Sequence, residues 1–313
     1  MNREPRLPVK AYRPCPICQH HDWCLVDAHG RDAICMRVQS PTPVDCKGAG
    51  RGWLHVLDET VAPTCTDRPF LPKQYMRVRV IRLILDGWAN TAPRDALRDY
   101  AEAIGVPVGA LADMGAVWAE DRHALAFPMV NAWRYLCGIR LRALNGKKWA
   151  VKGSRNGLFW PAAMPQSGPL LFPEGPTDTA SCLALGIAAI GRPSALVGGS
   201  MLARAHQFGE LEGYSPLVVV QDQDTPRWRC TVCRTAYKQV DEPDVCECGQ
   251  QDFTREHPGE AGALACAESL AKSGALVRIM APPAGKDMRA WYQLGATRVA
   301  VMSIIKHAPL IGI

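Results

Sequence analysis

The spacing of apolar and polar positions divides this chain into segments of different rhythm, and the sharpest signal lies between residues 169 and 224. That stretch opens with P-L-L-F-P-E-G and closes with P-L-V-V-V-Q-D-Q-D. Each is a short unbroken apolar run, too short for a helix, that stops abruptly at carboxylates. Runs of this length bounded by turn residues predict strands buried on both faces of a parallel sheet. Glu174 then ends one strand, and Asp222 and Asp224 end the other, at the edge where open α/β sheets place their ligands. Asp222 and Asp224 point to the same side of an extended segment, because side chains alternate with period two. Between the runs, T-D-T-A-S-C-L-A-L-G-I predicts a helix with Thr177 or Asp178 near its N-cap, and a second helix covers about residues 200–209. The alternation resumes with the small-residue helix G-E-A-G-A-L-A-C-A-E-S-L-A-K and the strand A-L-V-R-I-M. Lys286-Asp287 opens a further helix, and R-V-A-V-M-S-I-I-K closes the pattern.

The first half of the chain has other rhythms. D-W-C-L-V-D and D-A-I-C-M-R read as short strands around His29-Gly30. Residues 60–72, crowded with proline and threonine, read as a linker. From residue 73 to about 114 the pattern is helical, with a break near Ala92-Pro93; Gly105 and Gly115 suit positions just past helix ends. Arg77, Arg79, Arg82, Arg94 and Arg98 give this region a basic side, which fits a solvated face as well as a nucleic-acid contact. Over residues 122–160, three short strands separated by turns at Asn131-Ala132 and Asn145-Gly146 predict a small antiparallel sheet.

Composition narrows the class. The 313 residues, 48% hydrophobic and 21% charged, describe an ordinary globular chain long enough for two or three domains. No repeat of solenoid period is present. No segment approaches the apolar length that spans a bilayer, and M-N-R-E-P-R-L-P lacks a signal-peptide apolar stretch, so a cytoplasmic protein with no membrane role is expected. Thirteen cysteines in such a chain argue for metal or catalysis rather than disulfides.

Two cysteine sets have zinc-ligand spacing. Cys15-Pro-Ile-Cys18 is one knuckle, and a hairpin turn at His29-Gly30 places Cys24 opposite Cys35 at cross-strand distance. Cys15, Cys18, Cys24 and Cys35 therefore form the preferred tetrahedral quartet, with Cys46 or His55 open as a replacement for Cys24. Directly behind Asp224, Cys230, Cys233, Cys246 and Cys248 make the paired knuckles of a zinc ribbon, with His257 as a spare. A redox Cys-x-x-Cys would not need the second pair. The net charge of +6 matters through its distribution. Arg134, Arg140, Arg142, Lys147, Lys148, Lys152 and Arg155 are interleaved with Trp133, Tyr135 and Trp149 and opposed by no acid between residues 133 and 159. Cations for phosphates beside flat rings for bases are what a single-strand groove requires. Three converging carboxylates, Glu174, Asp222 and Asp224, repel one another unless a cation sits between them, and their hard oxygens suit Mg²⁺ or Mn²⁺.

The Glu174-Gly175, Asp222-Gln223-Asp224 and Lys286-Asp287 series resembles the TOPRIM domain shared by bacterial-type primases, topoisomerases and some nucleases. There a Glu-Gly follows one strand, an Asp-x-Asp another, and a Lys-Asp stands near the domain's end. The preceding stretch resembles the subdomain before TOPRIM in bacterial-type primases: an apolar-F-P strand at Phe127-Pro128, a G-x-x-x-R strand from Gly138 to residue 142, and a Lys-aromatic step at Lys148-Trp149. The first cysteine set resembles the N-terminal zinc domains of bacterial and phage primases, and departs from them where Val38 replaces the last cysteine of a second Cys-x-x-Cys.

These resemblances imply an α/β fold. A TOPRIM-type parallel sheet flanked by helices spans residues 167–313, with a zinc ribbon inserted at 228–256. A basic antiparallel subdomain at 121–166 precedes it, after a linker and helical connector at 60–120 and a zinc module at 1–59. They imply a metal-dependent nucleotidyltransferase that makes short RNA primers on a single-stranded DNA template from ribonucleoside triphosphates. Glu174, Asp222, Asp224, Lys286 and Asp287 would be catalytic, Glu174, Asp222 and Asp224 as Mg²⁺ ligands. No G-x-x-x-x-G-K-[ST] is present, so a replicative helicase would come from another chain. Two other readings stay open: a TOPRIM nuclease or topoisomerase-related enzyme, and a non-catalytic zinc-bearing single-strand DNA-binding adaptor. A topoisomerase needs a positioned tyrosine nucleophile, and the seven tyrosines here sit in no recognisable motif.

Overall fold

The apolar runs of the sequence are strands, and their alternate residues feed two different cores. The computed structural model describes residues 7–9, 14–20, 22–27, 32–46, 50–57, 75–233, 235–239 and 241–311. The expected His29-Gly30 turn and the 60–72 linker lie outside the described residues. The chain divides into two units, Met1–Gln74 and Tyr75–Ile313.

The first unit is an antiparallel sheet of β1 (Leu7–Pro8), β2 (Leu25–Val26), β3 (Asp32–Cys35), β4 (Pro43–Cys46) and β5 (Gly50–Val56), in the order β1-β2-β3-β5-β4. Leu25 faces Ile34 and Val26 faces Ala33, the register that sets Cys24 opposite Cys35. Val9, Cys15, Cys24, Val26, Ala33 and Cys35 form its small buried core. Strands β4 and β5 were not anticipated, because P-V-D-C and G-R-G-W-L-H-V show no clean two-residue alternation of apolar positions.

The second unit opens with α1 (Val78–Thr91), α2 (Ala96–Ile104) and α3 (Val108–Asp113). Ala92 turns extended ahead of Pro93, and Gly105 caps α2 with a left-handed φ of 63° that favours glycine. An antiparallel sheet follows: β6 (Val117–Ala119), β7 (Ala124–Val130), β8 (Leu136–Arg142) and β9 (Lys148–Ala150), side by side in chain order. One face packs Ala124, Ala126, Ile139 and Leu141 with Ile81 of α1. The other packs Leu125, Phe127 and Met129 with Tyr100, Ile104, Leu111 and Phe159.

The α/β part runs β10 (Gly168–Phe172), α4 (Pro176–Ala184), β11 (Ala188–Ala189), α5 (Gly199–Gln207) and β12 (Tyr214–Val220). A small antiparallel sheet, β13 (Arg227–Cys230), β14 (Ala236–Lys238) and β15 (Phe253–Glu256), interrupts it before α6 (Pro258–Ala271), β16 (Val277–Met280), α7 (Met288–Gln293), α8 (Arg298–His307) and β17 (Leu310–Ile311). The main sheet has the order β11-β10-β12-β16-β17 and is parallel except for β17. Leu170, Phe172, Leu217 and Val219 face Leu202, Ala263 and Ala267, whereas Leu171, Val218 and Val220 face Cys182, Met288, Trp291 and Val301. Both faces are covered, which is why these strands read as unbroken apolar runs. Each buried Leu, Val or Phe contributes about 1.5–3 kcal/mol. Among the described residues, no helix is long and apolar enough to cross a membrane.

Candidate active site

Strands β10 and β12 are neighbours in register, with Phe172 beside Val219. Each is followed two residues on by an acid, Glu174 and Asp222, so both carboxylates stand at the C-terminal edge of the sheet. Asp222 and Asp224 are half-buried and Gln223 between them is exposed, the alternation that the extended segment requires. The Gln223 N–H donates to the Lys286 carbonyl (2.7 Å) and that of Gln221 to Met280 (2.8 Å), which draws the Lys286-Asp287 loop beside them. Lys286 Nζ lies 3.1 Å from Asp224 Oδ1. Asp287 caps α7 by accepting from the Ala290 N–H at 2.8 Å.

A further acid joins the group. Asp178, in the first turn of α4, is 4% exposed and accepts from the Arg289 N–H at 3.0 Å. The sequence placed it only near an N-cap. Its signal was the Glu-x-x-x-Asp spacing, which sets it one helical turn beyond the strand-end Glu174. Burial, then repulsion from Asp178, Glu174, Asp287 and Asp224, pushes the Asp222 carboxyl up to about 8. Burial and then Asp287 push Asp178 up to about 7. The Oδ1 atom of Asp222 is buried with no hydrogen-bond partner. A buried, unpartnered carboxylate oxygen among acids that repel one another fits a bound cation. The cluster is looser than the cysteine sets, which among the described residues are the groups whose ligand atoms lie within 4.8 Å of one another.

Arg192 was not singled out by the sequence. It is 1% exposed, and its guanidinium donates to the carbonyls of Phe172 (3.1 Å), Ala195 (2.9 Å) and Val220 (2.8 Å). One side chain thus ties together the ends of the two strands that carry Glu174 and Asp222. Its backbone joins the same edge, donating to Pro173 and accepting from Gly175, both at 2.8 Å. The clue was a charged residue inside the apolar run I-A-A-I-G-R-P.

The basic stretch is not a single groove. Arg142, expected among the exposed phosphate contacts, is 8% exposed, and its Nη1 donates to Thr177 Oγ1 at 3.0 Å. The phase of β8 turns it inward opposite Leu125, toward the acids. Arg140 shares that face and is half-buried, donating to Asn156 Oδ1 at 3.2 Å. Trp149 falls on the opposite face, beside Leu141, and packs half-buried against the α1 cluster. Lys147, Lys148, Lys152 and Arg155 are exposed, with Lys147 over the Trp149 ring and Arg155 over Tyr75. Arg134 is exposed over Trp160, 3.9 Å from Glu210.

Both cysteine quartets assemble. The four sulfurs of Cys15, Cys18, Cys24 and Cys35 lie within 4.8 Å of one another, as do those of Cys230, Cys233, Cys246 and Cys248. The N–H groups of Met36, Arg37 and Val38 point at Cys24 and Cys35 sulfurs from 3.3–3.4 Å. Val38, the departure from a second Cys-x-x-Cys, thereby serves through its backbone. His55 instead lies 3.1 Å from the Val38 carbonyl, and Cys46 pairs with Gly50 on β4, so Cys24 completes the quartet. Burial and then its thiol neighbours push Cys24 up to about 12, whereas hydrogen bonding to Thr235 draws Cys233 down to about 6. Four sulfurs held this close could bind a divalent cation, which would keep them as thiolates, and the Cys₄ donor set suits zinc. His257 stands at the N-cap of α6, outside the ribbon quartet.

No protein-family model matches the chain, and no curated protein matches it in sequence. Solved structures do. The catalytic domain of the primase DnaG bound to single-stranded DNA aligns with a TM-score of 0.50 and 14% identity, over 74% of this chain and 78% of that one. The E. coli primase catalytic core gives 0.50 and 14%, over 74% and 80%. The Aquifex aeolicus primase, comprising zinc-binding and RNA polymerase domains, gives 0.50 and 10%, over 75% and 61%. At these identities the likeness is one of fold: the chain has the fold of primase catalytic cores.

Proposed function

We propose that this protein is a primase-like nucleotidyltransferase that builds short RNA primers on single-stranded DNA from ribonucleoside triphosphates. The observation that carries the reading is the buried, unpartnered Asp222 oxygen among Glu174, Asp178, Asp224 and Asp287, at the edge of a parallel sheet within a primase-type fold. We read that sheet as a TOPRIM domain. Glu174, Asp222 and Asp224 would hold Mg²⁺ or Mn²⁺, which when bound lowers the pKa of a hydroxyl and neutralises charge on a reacting phosphate. In the reaction a primer 3′-hydroxyl oxygen bonds to the α-phosphorus of the incoming nucleotide, its proton is lost, and pyrophosphate leaves. Lys286, steadied by Asp224, offers a cation to phosphate, and Asp287 holds the start of α7 in place. Lys147, Lys148, Lys152 and Arg155 offer the template an exposed basic surface, and the likeness to a DnaG catalytic domain bound to single-stranded DNA supports a template of that kind. The first zinc module would help recognise template, and a separate helicase would supply the unwound strand.

The test is direct. Purified protein is given single-stranded DNA, labelled ribonucleotides and Mg²⁺, and de novo oligomers are scored on a gel. Template-dependent oligomers are expected. Nicking without synthesis would transfer the site to the nuclease class, and DNA binding with neither activity would make the protein an adaptor.

A further inference from the structure

Arg192 is a cation buried without an acid to pair it. It is 1% exposed and forms no ion pair among the described residues. Its guanidinium donates to backbone carbonyls instead: Nε to Phe172 at 3.1 Å, Nη2 to Val220 at 2.8 Å and Nη1 to Ala195 at 2.9 Å. Burying an unpaired charge costs stability, and an apolar side chain of similar volume would fill the place at less cost. What the guanidinium does that an apolar side chain cannot is hold three carbonyls at fixed separation. Two of those carbonyls close β10 and β12, and each stands two residues before an acid, Glu174 and Asp222. The backbone of Arg192 meets the same edge. It pairs with Glu174 as an isolated parallel bridge, its N–H on the Pro173 carbonyl and its own carbonyl on the Gly175 N–H. Pro193 favours the extended conformation that such a bridge needs in the residue before it. One residue therefore fastens the Glu174 strand end through main chain and side chain, and the Asp222 strand end through side chain.

We propose that Arg192 is the positioning residue of the divalent-cation site: its planar fork fixes the separation of Glu174 and Asp222, and so sets how tightly those acids hold the ion. This rests on the reading of the acids as a metal site. A carboxylate goes where its strand end goes, and Mg²⁺ tolerates little error, since it demands near-octahedral oxygen geometry. Groups that orient ligands without touching the metal typically change its affinity by about 10–100-fold when replaced. Lysine cannot stand in for the fork. Nε and Nη2 leave the guanidinium plane at separate points toward two different strands, whereas an ammonium offers a single nitrogen. A lysine at 192 would keep the positive charge and most of the volume but lose the bridge between the strand ends.

The probe is Mn²⁺ alone, titrated into the full chain and followed by electron paramagnetic resonance, with thermal melts to establish folding. Wild type is compared with Arg192→Lys, Arg192→Met and Ile81→Ala. Ile81 is buried in the core between α1 and the antiparallel sheet, so its truncation lowers stability away from the acids. Both Arg192 variants are expected to bind Mn²⁺ about tenfold or more weakly, and the spectrum of the bound ion should change shape, as a distorted ligand set requires. Ile81→Ala should melt earlier and bind Mn²⁺ as wild type does. Folded Arg192→Lys with wild-type Mn²⁺ affinity and spectrum would overturn the proposal, whether or not Arg192→Met folds. So would an Ile81→Ala protein that loses Mn²⁺ affinity as much as Arg192→Lys, because general loosening would then explain both. Wild type that binds no Mn²⁺ would overturn the proposal together with the metal site. Arg192-dependent Mn²⁺ binding without primer synthesis would leave the positioning role standing and remove the primase reading. Primer synthesis by Arg192→Lys with an unchanged Mn²⁺ requirement would do the reverse.

Discussion

Gly259 packs so closely on Asp222 that a Cβ built at position 259 would overlap the Asp222 carbonyl oxygen. The N-terminal turn of α6 is therefore seated directly on the loop that carries the most perturbed carboxylate. The whole ribbon lies between these two residues in sequence, so its roots meet where Asp222 is held. Gly259→Ala must push α6 and the Asp222 loop apart. Overpacking of this kind costs about 1–3 kcal/mol. Urea denaturation should show that loss, and Mn²⁺ titration should show weaker binding with zinc content unchanged. A variant as stable as wild type, with the same Mn²⁺ affinity, would mean the close approach sets neither.

Glu174→Gln and Asp222→Asn keep shape and remove charge. Both variants should fold, retain zinc, bind single-stranded DNA and make no primers. Excess Mn²⁺ should partly rescue Asp222→Asn, since Mn²⁺ generally binds more tightly than Mg²⁺ at such sites. Primer synthesis at the wild-type level by both would refute the metal assignment.

The raised Asp222 carboxyl ties stability to pH. Its ordinary value is 3.8 and its folded value about 8, so between them the folded chain binds a proton that the unfolded chain has released. Stability contributed by that proton is present near pH 4 and falls as pH rises toward 8. Asp178 acts in the same direction. Without added divalent cation, the urea midpoint of wild type should therefore drop relative to Asp222→Asn as pH rises from about 5 to about 8. Mg²⁺ should restore wild type at the upper end. Parallel midpoints for the two proteins across that window would contradict the account.

The acid edge and the cysteine quartets were legible for physical reasons. Leu170, Leu171 and Phe172 form an unbroken run because both faces of their strand are covered, and such a run fixes where the strand must stop and where Glu174 stands. Cys24 and Cys35 were paired through the register of one short hairpin. Arg142 was misplaced because a mixed strand such as L-C-G-I-R-L-R does not reveal which of its faces meets the rest of the protein. Arg192 was missed because its three partners are backbone carbonyls, brought together only by the assembled sheet.

Two separate quartets predict two zinc ions per chain. Elemental analysis should give a ratio near two. Cys246→Ser with Cys248→Ser should remove one ion and leave the other, because the quartets share no ligand. Protein purified without chelator that carries almost no zinc would end the assignment.

Lys147, Lys148 and Lys152 are open to solvent, whereas Arg142 is committed to Thr177, so the electrostatic contribution of this surface is carried by residues whose removal leaves the core intact. Changing the three lysines to glutamine should weaken single-strand binding for every sequence tested. It should also flatten the dependence of log affinity on log salt by about 0.7 for each phosphate no longer neutralised, since fewer counterions are released. Trp149→Ala should behave differently. Its ring packs half-buried with the α1 cluster, so the change should lower the melting temperature through poorer packing. A triple-lysine variant with the wild-type salt slope would reassign the surface to solvent. A Trp149→Ala protein that melts normally yet loses strand affinity would show instead that the ring stacks on a base.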